Sequence, residues 1–356
     1  MKRFFALAVL LLCASMLLFA CSGGASTEGN ATGETQTNEG SQTGSEGASG
    51  SEPKEQIVLK TISFLPEDHP FVKDIIPMWK QKVEEGTNGQ VTVNWIGGPE
   101  SIFAKEQFDA VRNGIVDVGF IASAYYIHLM PEADSLLLSP YTATEEREKG
   151  YFDFLSERFK ANNVVYLGRW LNQAPFYFWS NEPIETLEDL KGKKFRANPV
   201  YRGIMPALGI TPVDIDTPEV YTALERGMVD GFGFPLLGPR ESGWTEVTKY
   251  IINAPFLEQN CTILMNSNKF ASLGPELQQK LMDITVEFEK EMVEYFIDAY
   301  EKEFAALKEA GVQEIKLNEE DTKKFNDLIK EVKWQELKEA VDEQTYNELK
   351  QLLYVE

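Results

Sequence analysis

Cysteine, histidine and positive charge are all scarce in this chain. Three cysteines occur in 356 residues, and two of them, Cys13 and Cys21, fall in the first 21 positions. The lone Cys261 that follows excludes an internal disulfide framework and any zinc site built on paired cysteines. His69 and His128 are the only histidines, and no H-E-x-x-H, Walker loop, dinucleotide glycine fingerprint or G-x-S-x-G elbow accompanies them. The sequence therefore calls for no cofactor and no metal, and it nominates no catalytic residue. Carboxylates are spread throughout, so an exported hydrolase working with paired acids stays open as a reading. Lys and Arg number 34 against 56 Asp and Glu, a formal charge of −22. That balance excludes a nucleic-acid-binding surface, because phosphate recognition rests on Lys and Arg. A 43% apolar content with 12% aromatics excludes a wholly disordered or fibrous chain.

The amino terminus reads as export and tethering sequence. Lys2 and Arg3 precede a mostly apolar run from Phe4 to Phe19, shorter than the roughly 20 residues of a spanning helix. Residues 1–20 are therefore assigned as a signal peptide. Leu18-Phe19-Ala20-Cys21 resembles a bacterial lipobox, whose cysteine thiol receives the lipid, although Phe19 is bulkier than the usual occupant. From 22 to 52 the chain is rich in Gly, Ser and Thr with five Glu and no Lys or Arg, a composition too polar to collapse. A tether of that kind reaches roughly 30 Å. The expected location is extracytoplasmic, lipid-anchored to the outer face of the cell membrane, on the periplasmic side where two membranes exist.

From residue 53 onward the chain is long enough for about two lobes at roughly 150 residues each. Ile57–Phe64, Val91–Ile96 and Val116–Ala122 read as strands, with helices over Phe71–Val83 and Ile102–Val111 between them. This alternation continues for over 150 residues and predicts an α/β fold. Val111-Arg-Asn-Gly-Ile-Val-Asp117 and Leu224-Glu-Arg-Gly-Met-Val-Asp230 echo each other, each a helix stopped at glycine before a Val-Asp strand. They are either a coincidence of two turns or the mark of two similarly wound lobes. From Glu276 to Ala310 there is neither Gly nor Pro, which predicts a helix of about 52 Å. A lobe of roughly 150 residues has a radius of gyration of only about 15 Å, so this helix should overhang one lobe and brace both. Beyond it, Val312–Leu317 reads as a strand, Asn318 as a cap, and the remainder as two peripheral amphipathic helices. The expected division is 53–174 with 261–300 as one lobe and 175–260 with 301–356 as the other.

A basic island interrupts the acidic chain at Lys191, Lys193, Lys194, Arg196 and Arg202. The three lysines suit a solvated edge. Arg196, at a strand end before Asn198-Pro199, could present its planar five-donor fork to an anion. Around it, Asn181-Glu-Pro-Ile-Glu-Thr-Leu-Glu-Asp-Leu-Lys-Gly-Lys-Lys-Phe-Arg196, Ala207-Leu-Gly209 and Glu219-Val-Tyr-Thr-Ala-Leu-Glu-Arg-Gly-Met-Val-Asp-Gly231 follow in order. This trio resembles the solute-binding subunits of tripartite ATP-independent (TRAP) transporters of the C4-dicarboxylate type, over most of residues 55–310.

The resemblance implies a two-lobed, periplasmic-binding-protein-like α/β fold closing on an organic acid, with partner membrane subunits on separate chains and no enzymatic role. It also implies that Arg196 grips the substrate carboxylate. An ABC-type binding lipoprotein, two-lobed but without this trio, is the alternative. Two departures bear on the ligand. A second arginine common in relatives is absent from Phe176-Tyr-Phe-Trp179, and Phe234 stands where sialic-acid-type relatives carry Asn. Losing a cationic and an amide contact while gaining rings implies a monocarboxylate with an apolar or aromatic body. Trp170, Tyr177, Tyr201 and Phe234 are the aromatic candidates for the cleft, and Asn198, Ser123 and Tyr125 complete the expected wall. Phe176 and Phe178 compete as plain core residues of the strand.

Overall fold

The structure is a computed structural model that describes residues 56–259 and 261–354; the leader, Cys21 and the tether lie outside the described residues. Strand β1 (Ile57–Ser63) leads through a π-helical turn into α1 (Ile76–Gly86), then β2 (Val91–Trp95), α2 (Ala104–Arg112) and β3 (Val118–Ala122). After two 3-10 segments come α3 (Ala143–Glu148), α4 (Tyr151–Ala161) and β4 (Val164–Leu171). The chain continues with β5 (Phe176–Ser180), β6 (Lys194–Ala197), β7 (Thr211–Asp214), α5 (Val220–Glu225), β8 (Gly231–Pro235), α6 (Trp244–Val247) and β9 (Tyr250–Phe256). It ends with β10 (Cys261–Asn266), α7 (Ser267–Ser272), the long α8 (Gly274–Glu309), β11 (Gln313–Ile315), α9 (Glu319–Ala340) and α10 (Glu343–Leu353).

Two sheets result, ordered β2-β1-β3-β10-β4 and β11-β9-β5-β8-β6-β7. Read from the β7 edge, the second repeats the first. β6 lies between β7 and β8, parallel to both, as β1 lies between β2 and β3. An antiparallel strand follows in each sheet, β10 beside β3 and β5 beside β8. The sequence echo is part of this repetition. Asp117 donates its N–H to the Lys60 carbonyl and accepts the Lys60 N–H on its carboxylate, both at 2.8 Å. Asp230 does the same to Lys194, at 2.7 and 2.8 Å. The glycines that stop the two helices, Gly114 and Gly227, have φ of 74° and 64°, where a side chain is strained.

The chain crosses between sheets three times, from β4 to β5, from β9 to β10 and, through α7 and α8, from β10 to β11. Gln173 and Leu257, in the first two crossings, have φ of 63° and 48°, so both turn sharply without glycine. Helix α8 spans the junction. Leu281, Phe288, Met292 and Phe296 enter the core beneath the first sheet, Leu307 enters one beneath the second, and Tyr300 packs on both. Glu289, on the same helix, accepts the Arg169 backbone N–H at 2.8 Å and Arg147 Nε at 2.7 Å.

The last two helices differ from the expectation of a periphery on the second lobe. Asn318 does cap α9, accepting the Asp321 N–H at 2.8 Å. Phe325 and Ile329 then pack with Phe178 and Phe256 of the second sheet. Trp334, Leu337, Leu349 and Leu353 instead join Tyr151 and Phe154 on the first. The polar faces that dominate these helices hide an apolar stripe whose members are buried or partly buried against the two sheets. We propose a division that follows the sheets, with the carboxyl-terminal pair shared. Among the described residues no helix is long and apolar enough to cross a membrane.

If α8 holds the two cores together, Phe288→Ala, which empties a fully buried site, should cost about 3–5 kcal/mol in chemical denaturation. Ile297→Ala, on the same helix but 65% exposed, should stay within about 0.5 kcal/mol. Equal effects would show that the buried stripe does not carry this helix.

Candidate functional site

Strand β6 delivers Arg196. Alternation sends Phe195 into the apolar core and the next side chain to the opposite face, where Arg196 is only 4% exposed. Three neutral groups hold the guanidinium. Nε donates to the Ile215 carbonyl at 3.0 Å, Nη1 to the Tyr201 hydroxyl at 2.8 Å and Nη2 to Thr217 Oγ1 at 3.2 Å. Tyr201 donates its own proton to the Gly233 carbonyl. Its ring lies so near β8 that a Cβ on Gly233 would sit 2.7 Å away, which fixes glycine there.

Other enclosed cations have carboxylates beside them. Arg169 meets Glu146 at 2.7 Å, and Lys333 meets Asp134 at 2.8 Å and Glu336 at 2.7 Å. Lys191, Lys193 and Arg202 of the basic island pair near the surface with Glu188, Glu182 and Asp214. Among the described residues no carboxylate lies within 4.0 Å of Arg196. Burying a charge without a counter-ion costs several kcal/mol. Of the five N–H donors of a guanidinium, three are used, leaving one on Nη1 and one on Nη2. Two such donors match the fork that receives a carboxylate.

A cavity of about 130 Å³ opens beside this group. Its walls come mostly from residues at or just past the ends of strands in both sheets, where α/β folds place ligands. Phe64 and Leu65 follow β1, Tyr125 follows β3, and Leu171 ends β4. Phe176 opens β5, Asn198 follows β6, and Phe234 sits at the end of β8. His69, Thr217 and Gln259 add polar groups.

Four of the expected residues thus share the cavity: Arg196, Asn198, Phe234 and Tyr125. The others do not line it. Tyr201 is fully buried behind Arg196 and positions it. Trp170 is fully buried in the first core and meets Phe64 edge-on at 5.8 Å, supporting the wall from behind. Ser123 is fully buried beside that wall. Tyr177 faces away from the cavity, against Tyr300 and Phe304 of α8 at 6.4 and 6.1 Å. Strand alternation gives the wall position to its neighbour Phe176, which also belongs with Phe178 to the core of the second sheet. Phe64, His69, Thr217 and Gln259 went unnominated. A position just past a predicted strand was the available signal for Phe64, and nothing local marks Gln259.

His69 Nδ1 accepts the Phe71 N–H at 3.2 Å, so in the neutral ring Nε2 carries the proton. Burial lowers its pKa from 6.5 to about 4, against a weaker opposing pull from Asp68. Cys261 is also buried, which pushes its thiol pKa up and keeps it from acting as a thiolate. Among the described residues no cluster of His, Cys, Asp and Glu could hold a metal ion.

A sequence profile of the family described as bacterial extracellular solute-binding protein, family 7, matches residues 62–340. The chain is 26% identical over 257 residues to the 2,3-diketo-L-gulonate-binding periplasmic protein YiaO of Escherichia coli (strain K12), covering 69% of this chain and 77% of that one. Among solved structures it is similar to a TRAP periplasmic solute binding protein from Desulfovibrio salexigens with bound orotic acid. The TM-score is 0.73 at 22% identity, over 83% of this chain and 97% of the other. A Bordetella pertussis extracytoplasmic solute receptor binding pyroglutamic acid gives 0.70 at 18% identity, over 83% and 99%. At these identities the structural likeness shows the fold, two α/β lobes with a long helix.

The polar residues around the cleft set a pH dependence of two signs. The folded state keeps His69 neutral down to about 4, so its contribution to stability is present above pH 6.5 and lost as pH falls toward 4. Glu258 lies in the β9–β10 crossing, where burial raises its pKa from 4.5 to about 7 despite Arg169 and the backbone N–H groups of Ala174 and Gln173. Its contribution is present below pH 4.5 and lost as pH rises through 7. Denaturation across this range should show His69→Phe flattening the acid limb and Glu258→Gln flattening the neutral limb. Unchanged slopes in both variants would rule out these environments.

Proposed function

The chain belongs to family 7 of the bacterial extracellular solute-binding proteins, and from that premise we propose that it is the receptor of a TRAP transporter, holding an organic monocarboxylate through Arg196. The observation that carries this reading is the enclosed guanidinium, bordering a cavity and without a carboxylate partner among the described residues. A ligand carboxylate supplies the missing charge through Nη1 and Nη2. The aromatic wall of Phe64, Tyr125, Phe176 and Phe234 suits an apolar or flat body. The volume is of the order of the roughly 150 Å³ that holds a benzene-sized molecule. Orotic and pyroglutamic acids, bound by the two structural relatives, are compact monocarboxylates of this kind.

His69, Phe64 and Tyr125 come from the first lobe and Arg196, Asn198 and Phe234 from the second. A ligand touching both favours the closed arrangement by its differential contacts. Delivery then goes to membrane subunits on separate chains. Cys21, diacylated, keeps the receptor at the membrane, with residues 22–52 as its tether.

Arg196→Ala leaves a buried carboxylate unpaired, a loss of about 2–5 kcal/mol, so affinity measured by calorimetry should fall roughly 30-fold to several thousand-fold. Arg196→Lys should restore only part, because an ammonium lacks the fork. The ligand-free melting temperature should change little. Three hydrogen bonds are lost, but so is an uncompensated buried cation. An affinity within about 3-fold of the parent would remove Arg196 from the site.

Anchoring is tested separately. Cys21→Ser should leave the protein unlipidated and shift it out of the membrane fraction. A variant as processed and as membrane-bound as the parent would exclude the anchor.

A further inference from the structure

Each lobe lends one leucine to the core of the other. The 3-10 segment after β3 buries Leu136 in a core of the first lobe and Leu137 in a core of the second. In the repeated winding β8 corresponds to β3, and the loop that leaves β8 does the reverse. It buries Leu236 in the second lobe and Leu237 in the core beneath the first sheet.

The two leucines differ in where they sit. Leu137 lies at a crossing, since its carbonyl accepts the Glu258 N–H at 3.1 Å. Leu237 lies beside the ligand cavity. Phe234 and Pro235, just before it, line that cavity together with His69 and Phe71 of the first lobe. A Cβ on Gly238, just after it, would sit 3.0 Å from the Phe234 ring and 3.9 Å from His69 Nε2. Gly238 has a φ of 113°, a conformation that favours glycine, so the chain can turn here at the meeting of the two lobes.

The rest of the loop holds this turn in shape. Ser242 and Trp244 donate their N–H groups to the Gly238 and Pro239 carbonyls, both at 2.9 Å. Arg240 grips Glu303 of α8 with two prongs, Nε at 2.9 Å and Nη2 at 2.8 Å. Leu237 is 9% exposed, and it is not one of the residues that line the cavity. Opening the cleft separates His69 from Phe234, which draws the loop off the first lobe and moves Leu237 from an apolar socket toward water.

We infer that Leu237 is a positioning residue for binding, a latch whose insertion into the first-lobe core holds the cleft shut without touching the ligand. This rests on the closure of two lobes around a ligand and is independent of the carboxylate reading of Arg196. Apparent affinity scales with the fraction of protein in the binding-competent form. The latch therefore sets affinity for every ligand alike and leaves selectivity to the cavity wall.

Distances between spin labels on the two lips of the cleft, measured by pulsed electron paramagnetic resonance, test this with no ligand present. Phe103→Cys, 72% exposed at the start of α2, and Glu219→Cys, exposed at the start of α5, carry the labels. The full chain is used with Cys13→Ser and Cys21→Ser, which leaves only the buried Cys261. Leu237→Ala should raise the ratio of long to short distances about 30-fold or more, and the volume-matched Leu237→Met should keep the parent's distribution. Leu237→Val should give a smaller rise in the same direction, and it carries the test if the alanine variant does not fold. Melting temperatures are read alongside. A leucine that only fills space would lower the melting temperature and leave the distances as in the parent, and that result would overturn the inference. So would one distance shared by the parent and every variant. Neither result touches the carboxylate reading, because no ligand takes part.

Discussion

Keeping an arginine nearly sealed from water with no carboxylate beside it among the described residues is costly, and four residues of the second lobe hold Arg196 in that condition. Tyr201 is buried to receive one of its N–H groups, Gly233 is bare to let the Tyr201 ring lie against β8, and the segment after β7 supplies Ile215 and Thr217. Neutral acceptors orient the guanidinium without neutralising it. A carboxylate in place of a hydroxyl at any of these contacts would satisfy the charge internally and leave nothing for a ligand to complete. The site is therefore specified as much by what surrounds the cation as by the cation itself.

The repeated winding of the two lobes explains why this cation meets the other wall residues. Both sheets present strand ends toward one junction, and each contributes a central strand beside which the chain crosses over. The crossings are also tied to the long helix: Arg169, in the last strand before the first crossing, gives its backbone N–H to Glu289 of α8 and its Nη2 to the carbonyl of Gln259 in the second. The packing of Glu289 against that strand is close enough that a Cβ on Gly168 would clash with its carboxylate. The first two crossings, the long helix and the cavity wall are thus joined by buried polar contacts, with α9 and α10 packed on both lobes.

How much of this could be read from the residues depends on whether the signal is local. The unbroken run after Pro275 required a long helix, and the paired helix-glycine-Val-Asp segments marked two lobes whose local clasps match down to the Lys60 and Lys194 contacts. Arg196 stood out because it ends a short strand in a basic island of an otherwise acidic chain, just before Asn198-Pro199. The misplacements share one cause. Phe176-Tyr-Phe-Trp-Ser180 is buried on both faces, so no polar alternation tells which side chains turn toward the cleft, and Tyr177 was chosen over Phe176. Trp170 and Ser123 lie in similarly covered segments. Gln259 could not be found at all, since its place in the cavity wall comes from a crossing whose position depends on contacts far along the chain. The last helices misled through composition: their many charges mask the few apolar residues that decide where they pack.

The central claim is that the counter-ion Arg196 lacks among the described residues is the ligand's carboxylate. A crystal structure of the protein with a bound monocarboxylate tests it most directly. The account predicts the two carboxylate oxygens about 2.7–2.9 Å from Nη1 and Nη2, with the Tyr201 and Thr217 contacts retained. A carboxylate seated elsewhere in the cleft, with Arg196 instead turned onto a carboxylate of the protein, would contradict it.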